Sequence, residues 1–292
     1  MAQMTPAFIA IDWGSTNRRN FVVDEAGCVL RAERDGKGLL SVPSGGFGAE
    51  VDAIRSRLGD FPVVLAGMVG SARGWVNVPY LSAPAGIDDL AANLHWVEAG
   101  KTAIVPGLAD VAGDVMRGEE VQLLGAVAAG LAPSDSLLCQ PGTHCKWAHM
   151  KDGKIATFST AMTGELFSLL RDHSLLADFL TGDVRDGVAF RDGVAAGLRG
   201  SLATLLFRVR AAALLGGRSV EDSAAYASGV LIGHDVGGAR IAPGAKVHVL
   251  ADAHLGELYA AAIAVAGATA ISIDSQAAFL AGMNRIWKAS AA

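Results

Sequence analysis

One element occurs twice in this chain, and it constrains the fold more than any other feature. Near the start, the apolar run Phe8-Ile9-Ala10-Ile11 ends at Asp12, passes through Trp13-Gly14-Ser15-Thr16-Asn17, and continues as Arg18-Arg19-Asn20-Phe21-Val22-Val23-Asp24. Further on, Ser136-Leu137-Leu138-Cys139-Gln140, Pro141-Gly142-Thr143-His144 and Cys145-Lys146-Trp147-Ala148-His149-Met150 repeat the plan. Each reads as two strands about a polar, glycine-bearing turn. At 292 residues the chain exceeds one ordinary core. The repeat therefore predicts two similarly built lobes, residues 1–115 and 116–292, with the last helix free to pack back near the hinge.

The surrounding pattern is α/β. Apolar periodicity predicts helices over 45–58, 87–99, 119–131, 164–171, 189–215, 219–233, 254–266 and 275–289. Strands are expected at 29–33, 61–66, 101–105, 155–158, 246–250 and 270–273. Composition excludes several classes. With 51% apolar and 18% charged residues, the chain has ample apolar surface to bury, which excludes disorder. A net charge of −5 without a basic run argues against a nucleic-acid binder. Three cysteines without a CxxC spacing predict neither a disulfide framework nor zinc. Met1 to Ala7 lacks the basic and apolar regions of a signal peptide. The longest uncharged stretch, Leu258 to Ile273, falls short of the ~20 residues that span a bilayer. These features predict a cytoplasmic protein without membrane partners; a homodimer is left open.

The usual nucleotide and hydrolase signatures are missing: no G-x-x-x-x-G-K-[ST], no G-x-G-x-x-G after a strand, no H-E-x-x-H and no G-x-S-x-G. The two turns offer another way to hold phosphate. Successive backbone N–H groups around a glycine form an anion nest, and the hydroxyls of Ser15, Thr16 and Thr143 add uncharged donors. Asp12, at a strand end, suits Mg²⁺, which takes oxygen ligands and keeps several waters. The same residues also read as ordinary hairpin tips.

Several further blocks carry a resemblance. They are Ile11-Asp12-Trp13-Gly14-Ser15-Thr16-Asn17, Ala66-Gly67-Met68-Val69-Gly70-Ser71 with Gly74-Trp75, Met116-Arg117-Gly118-Glu119-Glu120, Pro141-Gly142-Thr143-His144-Cys145-Lys146-Trp147 and Met162-Thr163-Gly164-Glu165-Leu166-Phe167. In this order the chain resembles the 2-keto-3-deoxygalactonokinase family from end to end. That family lies within the actin-like sugar kinases. The resemblance implies two ribonuclease-H-like lobes with a central cleft for ATP and substrate. It places the first phosphate hairpin and sugar-acid binding in the N-terminal lobe. The base, the second phosphate hairpin and the adenosine site fall in the C-terminal lobe.

The resemblance also implies roles. Asp12 would organise Mg²⁺, and Gly14, Ser15, Thr16, Asn17, Gly142, Thr143 and His144 would bind phosphate. In related glycerol and xylulose kinases a Gly-Asp-x-Gln stretch carries the catalytic base. Gly118-Glu119-Glu120-Val121-Gln122 stands in that place, with Glu119 aligned to the aspartate. Glu120 is the rival, and it could instead face solvent in the first turn, where the helix dipole favours an acid. The substrate carboxylate calls for an arginine. Arg19, Arg73 and Arg117 are the candidates, each of which could equally be a surface or lobe-bridging residue. Gly70, Ser71, Thr163 and Glu165 are candidate sugar contacts. Trp75 and Tyr80 read as packing residues, and Lys146 as phosphate-reaching or solvated. Adenosine is expected near Ser228, Gly229, Gly233 and Asp252, where the acid could touch ribose or weaken nucleotide binding.

The implied activity is ATP- and Mg²⁺-dependent phosphorylation of 2-dehydro-3-deoxy-D-galactonate at the 6-hydroxyl, a step of galactonate catabolism. The alternatives are a kinase of the same fold for the gluconate epimer or another acidic sugar, and a non-catalytic sugar-acid or nucleotide sensor.

Overall fold

The computed structural model describes residues 5–290; the leader-peptide reading rests partly on the first four residues, outside that range. In chain order the first part contains β1 (Pro6–Trp13), β2 (Arg18–Asp24), β3 (Val29–Asp35), α1 (Phe47–Leu58), β4 (Val63–Gly67), β5 (Leu81–Ser82), α2 (Ile87–Ala92), β6 (His95–Glu98), β7 (Thr102–Ile104), β8 (Leu108–Ala109), β9 (Val115–Met116) and α3 (Glu119–Ala128). There follow β10 (Ser136–Gln140), β11 (Cys145–Lys151), β12 (Lys154–Ala161), α4 (Thr163–His173), α5 (Val188–Gly197), α6 (Leu202–Leu214), α7 (Val220–Gly238), β13 (Lys246–Leu250), α8 (Ala253–Val265), β14 (Thr269–Ile273) and α9 (Ser275–Ser290). No helix among the described residues is long and apolar enough to cross a membrane.

Two sheets share one plan. The six-stranded sheet has the order β3-β2-β1-β4-β7-β6, and the five-stranded sheet β12-β11-β10-β13-β14. In each, the two strands after the first step outward from it in succession, and the next strand returns parallel to it on its other side. β1 is buried from Phe8 to Ile11, as a strand covered on both faces must be, which is why its sequence does not alternate. Phe47, Val51, Ile54 and Leu58 of α1 pack in one cluster with Ile9, Ile11 and Leu65. The second core gathers Cys139, Trp147, Phe190, Val194, Val249, Tyr259 and Ile263.

The chain forms two compact units. Unit 1 comprises the residues up to Asp135, His149–Phe158 and those from Ser275; unit 2 comprises Ser136–Ala148 and Ser159–Asp274. The stretch 116–135, expected from the sequence in the C-terminal lobe, lies in unit 1, as does the last helix. The reason is a close crossing of α3 and α9. A Cβ on Gly125 would overlap the Ala278 carbonyl, and one on Gly282 the Val121 carbonyl.

Two expected helices are corrected. The helix over 87–99 stops at Ala92, and His95–Glu98 alternates half-buried and exposed residues as an edge strand antiparallel to β7. The helix over 189–215 is two helices, broken around Gly200. Glycine is the easiest residue to take out of a helix, and a Cβ there would press on Leu205.

Unit 2 has its own close crossing. Gly193 and Gly197 of α5 and Gly229 and Gly233 of α7 each face a carbonyl of the other helix: those of Tyr226, Val230, Phe190 and Val194, respectively. Backbones approach this closely only where Cβ atoms are missing. Gly229 and Gly233 thus face α5, and neither lines the unit 2 cavity described below. We predict that Gly229→Ala destabilises the protein by about 1–3 kcal/mol through overpacking, measured by urea denaturation. Gly238→Ala, where a Cβ meets open space, should leave stability unchanged or raised.

Candidate active site

In unit 1 the first turn is built to present donors. Gly14 N–H donates to the Asn17 carbonyl (3.0 Å), and the carbonyls of Gly14, Ser15 and Thr16 accept from Leu39, Leu40 and Gly38 N–H at 2.9, 3.0 and 3.3 Å. The carbonyls are thereby used, whereas the amides of Ser15, Thr16 and Asn17 take no partner among the described residues. Gly38 is essential here, because a Cβ would overlap the Thr16 backbone. Nothing in its local sequence marks that role.

Beside the turn, a hollow of about 240 Å³ is lined by Asp12, Gly14, Thr16, Asn17, Arg19 and Arg34. Asp12, Arg19 and Arg34 are cross-strand neighbours in one row of the sheet. Arg19 donates from Nε (3.0 Å) and Nη2 to the same Asp12 oxygen, Oδ2. This pairing places Arg19 against the metal-binding candidate instead of leaving it open to a carboxylate. Arg34, exposed and unpaired, carries no motif that marks it in the sequence; its lining of the hollow follows from register alone.

The glutamates at the head of α3 separate cleanly. Glu120 is fully buried and accepts the Gly118 N–H through both oxygens, at 2.9 and 2.6 Å. Burial, reinforced by the charge of Glu119, pushes its carboxyl up to about 8. Glu120 therefore does not face solvent as an ordinary first-turn acid, contrary to that expectation. Glu119 is half-buried, with Oε2 accepting the Arg117 N–H (3.0 Å). The turn before it is fixed by two glycines: Gly118, at φ 108°, backs onto Gly67, at φ 95°.

The three arginine candidates also separate. Arg117 is 7% exposed, donates from Nη2 to the Val78 carbonyl (2.6 Å) and lies over the Tyr80 ring, while its Nε and Nη1 are sealed from solvent without partners. It is a wall residue beneath Gly70, not an open carboxylate clamp. Arg73 is exposed and makes no ion pair. Ser71 donates its hydroxyl to the Met68 carbonyl (2.7 Å), so toward a ligand it can only accept.

In unit 2 the second turn is closed by the head of α4. Gly164 packs on the Gly142 carbonyl, Glu165 N–H donates to the Thr143 carbonyl (2.9 Å), and the Glu165 carboxylate meets His144 Nε2 at 2.6 Å. Glu165 and His144, expected to serve different ligands, are thus partners. Lys146 is buried and donates to the Thr160 hydroxyl (2.7 Å), so it is not solvated.

A cavity of about 670 Å³ opens beside this turn, lined by Gly142, Thr163, Ser228 and Tyr259 among others, with Phe167 and Leu231 providing apolar walls. That volume lies in the range of small-molecule sites. Asp252 does not line it. Its Oδ1 accepts the Leu255 N–H (2.9 Å) and caps α8, which gives the acid a structural role there. No cluster of three or more acidic, histidine or cysteine side chains suited to a metal occurs among the described residues. A single carboxylate such as Asp12 still fits Mg²⁺, which is commonly bound by one or two carboxylates and the phosphates it accompanies.

Paired sheets of one plan, each with a glycine-bearing turn after its first strand, define the actin-like ATPase fold. The activator of the 2-hydroxyisocaproyl-CoA dehydratase from Clostridium difficile, solved with bound ADPNP, shares it with a TM-score of 0.53 at 12% identity, covering 98% of this chain and 96% of that one. The particular family follows from closer matches. Residues 12–286 match the model of the 2-keto-3-deoxy-galactonokinase family. The 2-dehydro-3-deoxygalactonokinase of Escherichia coli (strain K12) is 38% identical over 291 residues, covering 97% of this chain and 98% of that protein. A solved structure from Sinorhizobium meliloti, described in the same kinase terms, superposes with a TM-score of 0.89 at 33% identity, covering 97% and 98% of the two chains. The chain belongs to the 2-keto-3-deoxy-galactonokinase family.

The buried glutamate yields a pH prediction. Glu120 holds its proton more tightly folded than unfolded, so its contribution to stability is greatest below the ordinary glutamate value of 4.5 and is lost as pH rises to about 8. Relative to Glu120→Gln, which cannot titrate, wild-type stability should fall by a few kcal/mol, at ~1.4 kcal/mol per pKa unit, between about pH 5 and pH 8 in urea titrations. A constant difference across that range would place the proton elsewhere.

Proposed function

We propose that the protein phosphorylates 2-dehydro-3-deoxy-D-galactonate at its 6-hydroxyl with ATP, in the cytoplasm where ATP is supplied. Family membership supports the reaction class. The observation that carries the mechanism is the contrast at the head of α3, where one glutamate is sealed and its neighbour is accessible. Glu119 is the base. Phosphoryl transfer passes through a loose transition state, so the base need only accept the hydroxyl proton as the bond to phosphorus forms. An accessible carboxylate suffices for that task, and the buried Glu120 holds the Gly118 turn that presents it.

Each unit contributes a phosphate-binding turn in this reading. In unit 1 the free amides of Ser15, Thr16 and Asn17 donate to phosphate oxygens, aided by Arg34. In unit 2 Gly142 and Thr143 do the same beside the cavity that takes the nucleoside, with Ser228 on its wall. Asp12 would hold Mg²⁺ through the oxygen that Arg19 leaves open, and the ion would neutralise phosphate charge. Arg73 binds the substrate carboxylate, since it is the one family-block arginine both exposed and unpaired.

A coupled ADP-release assay with Mg·ATP tests the reading. Turnover should depend on the galactonate form and be weak with its gluconate epimer; equal use of both would broaden the substrate. Glu119→Gln should lower kcat by at least ~10²-fold, the low end of general-base contributions, with the KM for ATP little changed. Near-wild-type turnover would remove Glu119 from the mechanism. Arg73→Ala should raise the KM for the sugar acid by ~10-fold or more, as losing a charge-assisted hydrogen bond does, and leave that for ATP unchanged.

A further inference from the structure

A second carboxylate is buried where the mechanism above does not use it. Asp235, on α7, is 7% exposed and accepts three hydrogen bonds from three other elements. Trp147 Nε1 of β11 donates to Oδ1 at 2.8 Å. Thr163 Oγ, at the head of α4, donates to Oδ2 at 2.9 Å, and Tyr259 Oη of α8 donates to the same oxygen at 2.6 Å. Cys139 and Cys145 lie in the same core, their sulfurs 3.6 Å apart, and burial pushes both thiols up, so neither competes as an anion.

Two of the three donors, Thr163 and Tyr259, also line the 670 Å³ cavity. A hydroxyl has one proton and two lone pairs. Once the proton is committed to Asp235, only the lone pairs remain for a ligand. The carboxylate thus converts two hydroxyls that could have donated to phosphate into acceptors. A phosphate oxygen gains nothing from them; a ligand hydroxyl does.

We propose that Asp235 is a positioning residue that orients the Thr163 and Tyr259 hydroxyls to accept from the ribose hydroxyls of a nucleotide in this cavity. The ribose is chosen because Thr163 adjoins Gly164, which packs on the Gly142 carbonyl of the phosphate turn. In a nucleotide the sugar is the part that follows the phosphates. The inference rests on the nucleotide reading of the cavity given above.

The test is calorimetric binding of ATP, 2′-deoxy-ATP and 3′-deoxy-ATP to the full-length protein, with turnover measured in parallel. Wild type should bind at least one deoxy form about ten-fold or more weakly than ATP, the scale of one lost hydrogen bond at a buried site. Thr163→Val keeps the side-chain shape and removes the hydroxyl; it should reduce that ratio to below about three-fold. Asp235→Asn, whose amide can turn a donor toward these oxygens, should do the same, and the KM for the sugar acid should stay unchanged in both variants. A purely structural role would weaken all three nucleotides alike. Equal wild-type affinity for the three nucleotides, or a ratio that survives Thr163→Val, would overturn the proposal even if Asp235→Asn fails to fold. ATP binding without turnover would sink the kinase reading, and the ratio would still decide the role of Asp235. No ATP binding would overturn both.

Discussion

Backbone contact between helices, made where side chains are missing, sets the geometry on which the rest depends. In unit 2, glycines four residues apart on α5 meet glycines four residues apart on α7, each facing the other helix's carbonyls. This brings α7 deep into the unit, so that nearly every residue from Ser223 to Val236 is buried. A helix so placed has no polar face to spare. Its one deeply buried acid must be satisfied by partners, and its small residues must line whatever space is left. Ser228 beside the cavity and Asp235 with its three donors both follow from that position. The crossing of α3 and α9 works in the same way for unit 1, where it anchors the helix whose first residue is Glu119.

Charge is arranged around these frames according to burial. The first three strands carry two cross-strand rows, Trp13–Arg18–Asp35 and Asp12–Arg19–Arg34. The first is inward. Arg18 is 1% exposed, stacks on Trp13 and reaches Asp35 and Glu50 at 2.9 and 3.2 Å. Burial alone would raise the Asp35 carboxyl, yet the bonds from Arg18 and the Lys37 amide outweigh it and hold it below its usual value. The second row is outward and incomplete, with two arginines for one aspartate. Adjacent like charges disfavour a strand pair, and an incoming anion relieves that repulsion. The closed row secures the turn, and the open row sets two guanidinium groups beside it.

Much of this was legible in the sequence. The paired strand–turn–strand elements with their glycine-bearing turns, most helix and strand positions and the family were all readable, because turn chemistry and apolar periodicity act over a few residues. Where local signals were ambiguous the expectation erred. Residues 93–99 continue a helical apolar pattern, yet His95–Glu98 form an edge strand, since β7 offers unpaired backbone beside them. Gly229, Gly233 and Asp252 read as nucleotide contacts because of where they fall in the family order. Two of them serve helix packing and the third a helix cap.

By itself, then, the sequence determined the two-lobed α/β plan and the residues that stand at each turn, since both are written in local patterns of apolarity, glycine and hydroxyls. Only the tertiary structure decided which of two adjacent glutamates meets solvent, which of three arginines is free, and which carboxylate gathers Trp147, Thr163 and Tyr259 around it. Those outcomes depend on what a distant segment places opposite each side chain. Burial, unlike strand or helix preference, has no signature in the neighbouring residues.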